Sequence, residues 1–189
     1  MNNINCETMT IIYSNRQDED CSLLPLIWKD MTIDTFIELD LNSVDWEYIV
    51  DNALSNETET LILVGHGTSQ GLLSPTFNEY VVHENNVKLI KAKHVICLWC
   101  HASSFTKKHV LKSFSSSMFI TNIEEAYDNG LCRQSQDEIN ETNIRFYNEI
   151  NAYLRNTVPL CEWVDKLSDI IDGDNDVDTF NRLGLEYDE

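Results

Sequence analysis

Two short apolar runs constrain this chain more than anything else in it. Thr60-Leu61-Ile62-Leu63-Val64 leads into Gly65-His66-Gly67, and His94-Val95-Ile96-Cys97-Leu98-Trp99 leads into Cys100-His101-Ala102-Ser103. Each run carries β-branched residues, is bounded by polar ones and stops at a reactive side chain. Strands buried on both faces of a parallel sheet have this pattern. Open parallel sheets collect ligands and chemistry at the carboxyl ends of their strands. If these two strands are neighbours, the His66 imidazole and the Cys100 thiol share one rim, the pairing of a cysteine nucleophile with its base.

A thiol with a pKa of about 8.5 is mostly protonated at neutral pH and needs a nearby base or cation to react. Gly65 and Gly67 flank His66, so the backbone there can turn sharply and a substrate can come close. The amides of Gly67 and Cys100 are candidate donors to an oxyanion. A hydrophobic block ending in His-Gly, then a second ending in a cysteine, resembles the motif pair of the caspase-like cysteine peptidases: caspases, metacaspases, gingipains, clostripain, separase and bacterial CHAT proteins. Gly65-His66-Gly67 is similar to the metacaspase-type Ser-Gly-His-Gly. Trp99-Cys100-His101-Ala102-Ser103 is similar to its Cys-His-Ser-Gly, and Leu98-Trp99-Cys100 to the Ser-Ala-Cys of CHAT proteins.

The resemblance covers residues 59–103. It implies a caspase-like domain with His66 as catalytic histidine and Cys100 as nucleophile. It also implies a peptide or protein substrate held extended over the rim, and no metal or organic cofactor in the chemistry. Leu98 stands where many Arg/Lys-specific members carry Asp, and Ser103 where Gly often follows. These departures keep a second expectation in view, a binding or regulatory module that has lost catalysis and works through a protein partner. A nucleotide-binding α/β protein is a third.

The 189 residues suit one domain with a substantial core, residues 1–189. No apolar run approaches the roughly 20 residues that span a bilayer, and residues 1–8 lack the pattern of a signal peptide. The expected compartment is a reducing cytoplasm, with Cys6, Cys21, Cys97, Cys100, Cys132 and Cys161 as free thiols. A net charge of -19 argues against a nucleic-acid phosphate binder, which would need a basic face. It fits a solvated acidic surface and mildly favours a basic substrate or partner.

Along the chain, strands are expected at residues 9–13, 35–39, 60–64, 94–99 and 118–121. Helices are expected at about 42–54, with Val44, Tyr48 or Ile49, and Leu54 inward, and at 83–91, 105–113, 124–129, 134–156 and 160–171. The helix at 134–156 should bury Ile139, Phe146, Ile150, Tyr153 and Leu154. Residues 68–82 read as a small hairpin, 23–28 as a short helix or turn, and 14–22 as a loop over the rim, with Arg16 as a minor site candidate. Residues 172–189 read as a weakly patterned acidic tail. Alternating strands and helices give an α/β protein, a three-layer α/β/α sandwich on a mostly parallel sheet.

Other chemistry competes at the same residues. Cys97-Leu98-Trp99-Cys100-His101 spells a haem c attachment pattern, and the cysteine pair could suit zinc or a dithiol. On a strand, residues three apart point to opposite faces, which argues against all of these. Gly65, Gly67 and Gly71 miss the dinucleotide spacing. Asp172, Asp174, Asp176 and Asp178 begin like a calcium loop, but Val177 and Leu183 occupy its glycine and glutamate positions. His101 is the rival to His66 as base, while His83, His94 and His109 read as structural or exposed.

Overall fold

The computed structural model describes residues 8–131, 133–170 and 175–188. In chain order the elements are β1 (Met9–Ser14), β2 (Thr35–Leu39), α1 (Glu47–Ser55), β3 (Thr60–Gly65), β4 (Gly67–Thr68), β5 (Gly71–Leu73), β6 (Tyr80–Val82) and β7 (His94–Leu98). They continue with α2 (Ala102–Lys108), β8 (Ser113–Ser116), α3 (Ile123–Asp128), α4 (Gln136–Arg155), α5 (Trp163–Ser168), α6 (Asp176–Leu183) and β9 (Leu185–Asp188). Short 3-10 turns lie at Leu24–Trp28, Val87–Leu89 and Leu160–Glu162.

The main sheet has six strands in the order β2-β1-β3-β7-β8-β9. β9 runs antiparallel to β8, and the other neighbours are parallel. Alternation of side chains along buried strands feeds two cores. Ile11, Ile62, Val64, Ile96 and Phe114 face α4, α5 and the 3-10 turn at Leu24–Trp28. Ile12, Leu61, Leu63, Val95 and Cys97 face α1, α2 and the small sheet β4-β5-β6. The arrangement fits an α/β/α sandwich. The sheet order reverses between β1 and β3, which opens a crevice at their carboxyl ends. Gly65 is required there: its φ is +143°, and a Cβ would lie 2.6 Å from the Ser14 carbonyl oxygen.

Several local expectations are corrected. The strand expected at 118–121 is instead β8, Ser113–Ser116. Its serines look polar in sequence, yet the strand is fully buried because its hydroxyls are satisfied at short range: Ser113 donates to Leu111 O, Ser116 donates to Trp99 O, and Ser115 accepts from Thr106. The helix after Cys100 starts at Ala102 rather than Phe105. α1 buries Trp46, Val50, Ala53 and Leu54 at helical spacing, whereas Val44, Tyr48 and Ile49 are exposed. Residues 83–91 hold only the 3-10 turn at Val87–Leu89, and the hairpin is a three-stranded antiparallel sheet.

α4 begins at a Ser135–Glu138 capping box and buries Ile139, Phe146 and Ile150 as expected; Tyr153 and Leu154 are only partly buried. The acidic tail is folded where it is described: α6 packs against α4, and β9 completes the sheet. Asp178 is buried against Arg182 rather than held for calcium. Asp172 and Asp174 lie outside the described residues, as do Cys6 and Cys132. Cys21, Cys97, Cys100 and Cys161 are free, and no helix among the described residues is long and apolar enough to cross a membrane.

Candidate functional site

The site begins with strand register. β3 and β7 are adjacent and parallel, and Val64 pairs with Leu98. His66 and Cys100 each lie two residues beyond that pair, which brings both to the same rim of the sheet. Both are half-buried and line one narrow cleft at the carboxyl ends of the sheet. Its apolar wall is Leu24, Leu98, Phe119, Phe146 and Tyr147, and Asp20 and Glu125 add carboxylates.

Cys100 occupies a sharp strand-to-helix corner. The next residue, His101, is left-handed at φ 66° and donates its N–H to Ser117 O at 2.9 Å. Such strained non-glycine backbone persists only where surrounding contacts enforce it. The Cys100 thiol donates to Phe119 O at 3.5 Å. Burial pushes this thiol up to about 11, and the Glu125 and Asp20 carboxylates push the same way. Cys97, on the opposite face in the apolar core, is fully buried, which removes the haem, zinc and dithiol readings of the cysteine pair.

His66 Nε2 lies 2.9 Å from Asp18 Oδ2. Burial raises the Asp18 carboxyl, but the His66 charge and the Cys21 backbone N–H outweigh it and hold the group below its usual range. An ionised carboxylate only accepts, so this contact favours, in the neutral ring, the tautomer with the proton on Nε2 and the lone pair on Nδ1. Asp18 is itself placed by the Cys21 N–H on Oδ1 at 3.1 Å and by Arg16 Nε 3.5 Å from Oδ2. Arg16 also lies 4.0 Å over the Phe77 ring and donates to Pro75 O, and Phe77 meets His66 edge-on at 5.1 Å. Arg16 therefore supports Asp18 and does not line the cleft. Among the described residues no hydrogen bond joins Cys100 to His66.

Gly67 is pinned by close contact, since a Cβ there would lie 2.0 Å from Trp99 Cδ1. Trp99 Nε1 in turn donates to Thr68 O at 3.1 Å. Leu73 N–H donates to His66 O, which makes Gly67 and Leu72 a non-hydrogen-bonded pair and leaves the Gly67 N–H unspent on the ladder. His101 is exposed beside the corner and does not line the cleft, and His83, His94 and His109 lie elsewhere.

Sequence reasoning placed the loop 14–22 over the rim but missed its acids. Asp18, Asp20 and Cys21 follow β1 directly, so carboxylates clustered just past a strand end were the available signal. Glu125 had none, because it reaches the cleft only through the path of 117–121. Its carboxylate accepts from Thr121 N–H at 2.9 Å and Oγ1 at 3.1 Å, and burial, with the Asp20 charge, raises its pKa.

The resting thiol sets a pH dependence. The thiolate is the species that is alkylated, and its fraction falls as burial raises the pKa. Iodoacetamide labelling of Cys100 in the free protein should therefore climb about tenfold per pH unit from about pH 7 towards a plateau near 11. Mass mapping of the labelled peptide against pH reads this out; a plateau already at pH 8 contradicts the burial.

Comparison with family models, with curated proteins and with solved structures gives no match.

Proposed function

We propose that this chain is a cysteine endopeptidase with a caspase-like fold. The observation that carries the reading is the convergence of Cys100 and His66 on adjacent parallel strand tips, with Asp18 Oδ2 held 2.9 Å from His66 Nε2. Substrate seated in the cleft brings its scissile carbonyl to Cys100. The thiol proton passes to His66 Nδ1 as sulfur attacks the carbonyl carbon. Asp18 stabilises the imidazolium through Nε2–H. The tetrahedral oxyanion takes hydrogen bonds from the Gly67 and Cys100 amides. His66 then protonates the leaving amine, and water hydrolyses the thioester with His66 again acting as base.

The cleft supports a basic P1 residue. Its apolar wall suits the aliphatic stem of lysine or arginine, and Asp20 and Glu125 offer two carboxylates to the head. These acids stand in for the Asp that Leu98 replaces. A second reading, a binding module without catalysis, draws on the protonated thiol and its hydrogen bond to Phe119 rather than to His66.

One experiment separates the two. Fluorogenic peptides with lysine or arginine at P1 should be hydrolysed in preference to peptides with aspartate there, and a matching peptidyl ketone should label Cys100 alone. Absence of hydrolysis across a P1 library, with labelling spread over the accessible thiols, favours the module.

A further inference from the structure

Asp18, Cys21 and His66 bring a carboxylate oxygen, a sulfur and an imidazole nitrogen within 4.8 Å of one another at the edge of the cleft. We infer that this trio is a binding site for a zinc-class divalent cation, and that the ion switches the enzyme off by capturing the His66 ring. The inhibitory half rests on the peptidase reading; the binding half does not.

The donor set selects the ion. Magnesium and calcium demand shells of oxygen, whereas mixed sulfur, nitrogen and carboxylate donors suit zinc. A tetrahedral zinc site with bonds of about 2.0–2.3 Å sets its ligand atoms about 3.3–3.8 Å apart. The present separations are of that order: His66 Nε2 and Asp18 Oδ2 are 2.9 Å apart, and all three donor atoms lie within 4.8 Å of one another. Cys21 and His66 both line the cleft, so a water or a group bound there can supply the fourth ligand.

The supporting contacts are already built. The Cys21 N–H and Arg16 orient Asp18, Phe77 braces His66, and the Tyr13 hydroxyl donates to Cys21 O at 2.8 Å to anchor the loop. The neighbouring Asp20 adds negative charge next to Cys21. Those carboxylates, which oppose a bare thiolate, complement a dication. On binding, the Cys21 thiol releases its proton to solvent and the ion takes Nε2. The ring proton then sits on Nδ1. In that tautomer Nδ1 has no lone pair for the Cys100 proton, so the base is lost without any change at Cys100 itself.

The test uses the full chain with zinc and with cobalt as a coloured substitute. Wild type should bind one ion in competition with a chromophoric chelator, and bound cobalt should show tetrahedral bands with a thiolate charge-transfer band. Cys21→Ser should remove the charge-transfer band and weaken zinc by at least about tenfold, and Cys100→Ala should leave both unchanged. If Cys21→Ser fails to fold, Asp18→Asn should show the same weakening. Zinc should suppress peptide hydrolysis with a midpoint at its Kd, reversed by chelator. No binding at about 100 µM, or a band that survives Cys21→Ser and vanishes in Cys100→Ala, overturns the site. Zinc that raises hydrolysis overturns the inhibitory role. Binding with no hydrolysis under any condition leaves the site standing and removes the peptidase reading, whereas hydrolysis without binding does the reverse.

Discussion

Replacing His66 by alanine should lower kcat/KM by about 10²–10⁴-fold while the protein stays folded, because general-base assistance contributes on that scale. The ring is half-buried, and its packing partner Phe77 is exposed, so little of the core depends on it. Asp18→Asn is the sharper variant. An asparagine can turn its amide N–H towards Nε2, which makes Nε2 the acceptor and moves the ring proton to Nδ1, the nitrogen needed as base. The loss should therefore approach that of His66→Ala, although the carboxylate touches no substrate atom. The double variant should be little worse than either single one, since the two groups act as a unit. Steady-state kinetics on a basic-P1 peptide, with the iodoacetamide pH profile alongside, reads this out. An Asp18→Asn enzyme with unchanged kcat/KM would remove Asp18 from the mechanism, and an unchanged His66→Ala enzyme would end the peptidase reading.

The pair at the centre of that prediction was legible because it sits where local pattern is strongest. Runs such as Leu61-Ile62-Leu63-Val64 fit poorly anywhere but a buried strand, and the residue past each strand end is fixed by register. What the sequence hid depends on contacts between distant segments. β8 is serine-rich, and its burial follows from hydroxyl partners on Leu111, Trp99 and Thr106 rather than from apolar character. The face of α1 was mistaken because the helix begins only at Glu47, after Trp46, so Val44 lies outside it and Val50, Ala53 and Leu54 turn inward. Residues 176–188 looked solvated by charge count, yet two of their charges are internal: Asp178 and Arg182 are each 1 % exposed. Glu125 and Asp20 meet only because Asn122 ties the segment after β8 to the loop after β1, its side-chain amide donating to Asp20.

The folded tail carries the second large effect. Arg182 is fully buried and donates from Nε to Asp178 Oδ1 at 2.7 Å, and from its terminal nitrogen to Glu149 Oε2 at 2.7 Å and Leu167 O at 3.1 Å. Arg182→Ala removes the charge against which two carboxylates are desolvated, and breaking a buried pair this way costs about 3–5 kcal/mol. For a chain of this size that is a fall in Tm of about 6–20 °C. Arg182→Met combined with Asp178→Leu and Glu149→Gln should lose much less, because neutral groups of similar volume leave no charge desolvated without a partner.

The consequence reaches the cleft. α6 also holds Asn181, whose side chain accepts from Ile120 N–H at 2.7 Å and donates to Ile120 O at 2.9 Å, with Asn143 donating to the same carbonyl. Ile120 lies between Phe119 and Thr121, the residues that hold the Cys100 thiol and the Glu125 carboxylate. Loosening α6 therefore frees the segment that keeps Cys100 covered. Below its melting transition, Arg182→Ala should label at Cys100 faster than wild type at the same pH, together with the loss of stability in urea. A loss below about 1 kcal/mol would mean that the buried cluster is as replaceable as a surface ion pair. An unchanged labelling rate in a destabilised variant would show that the cleft does not depend on the tail.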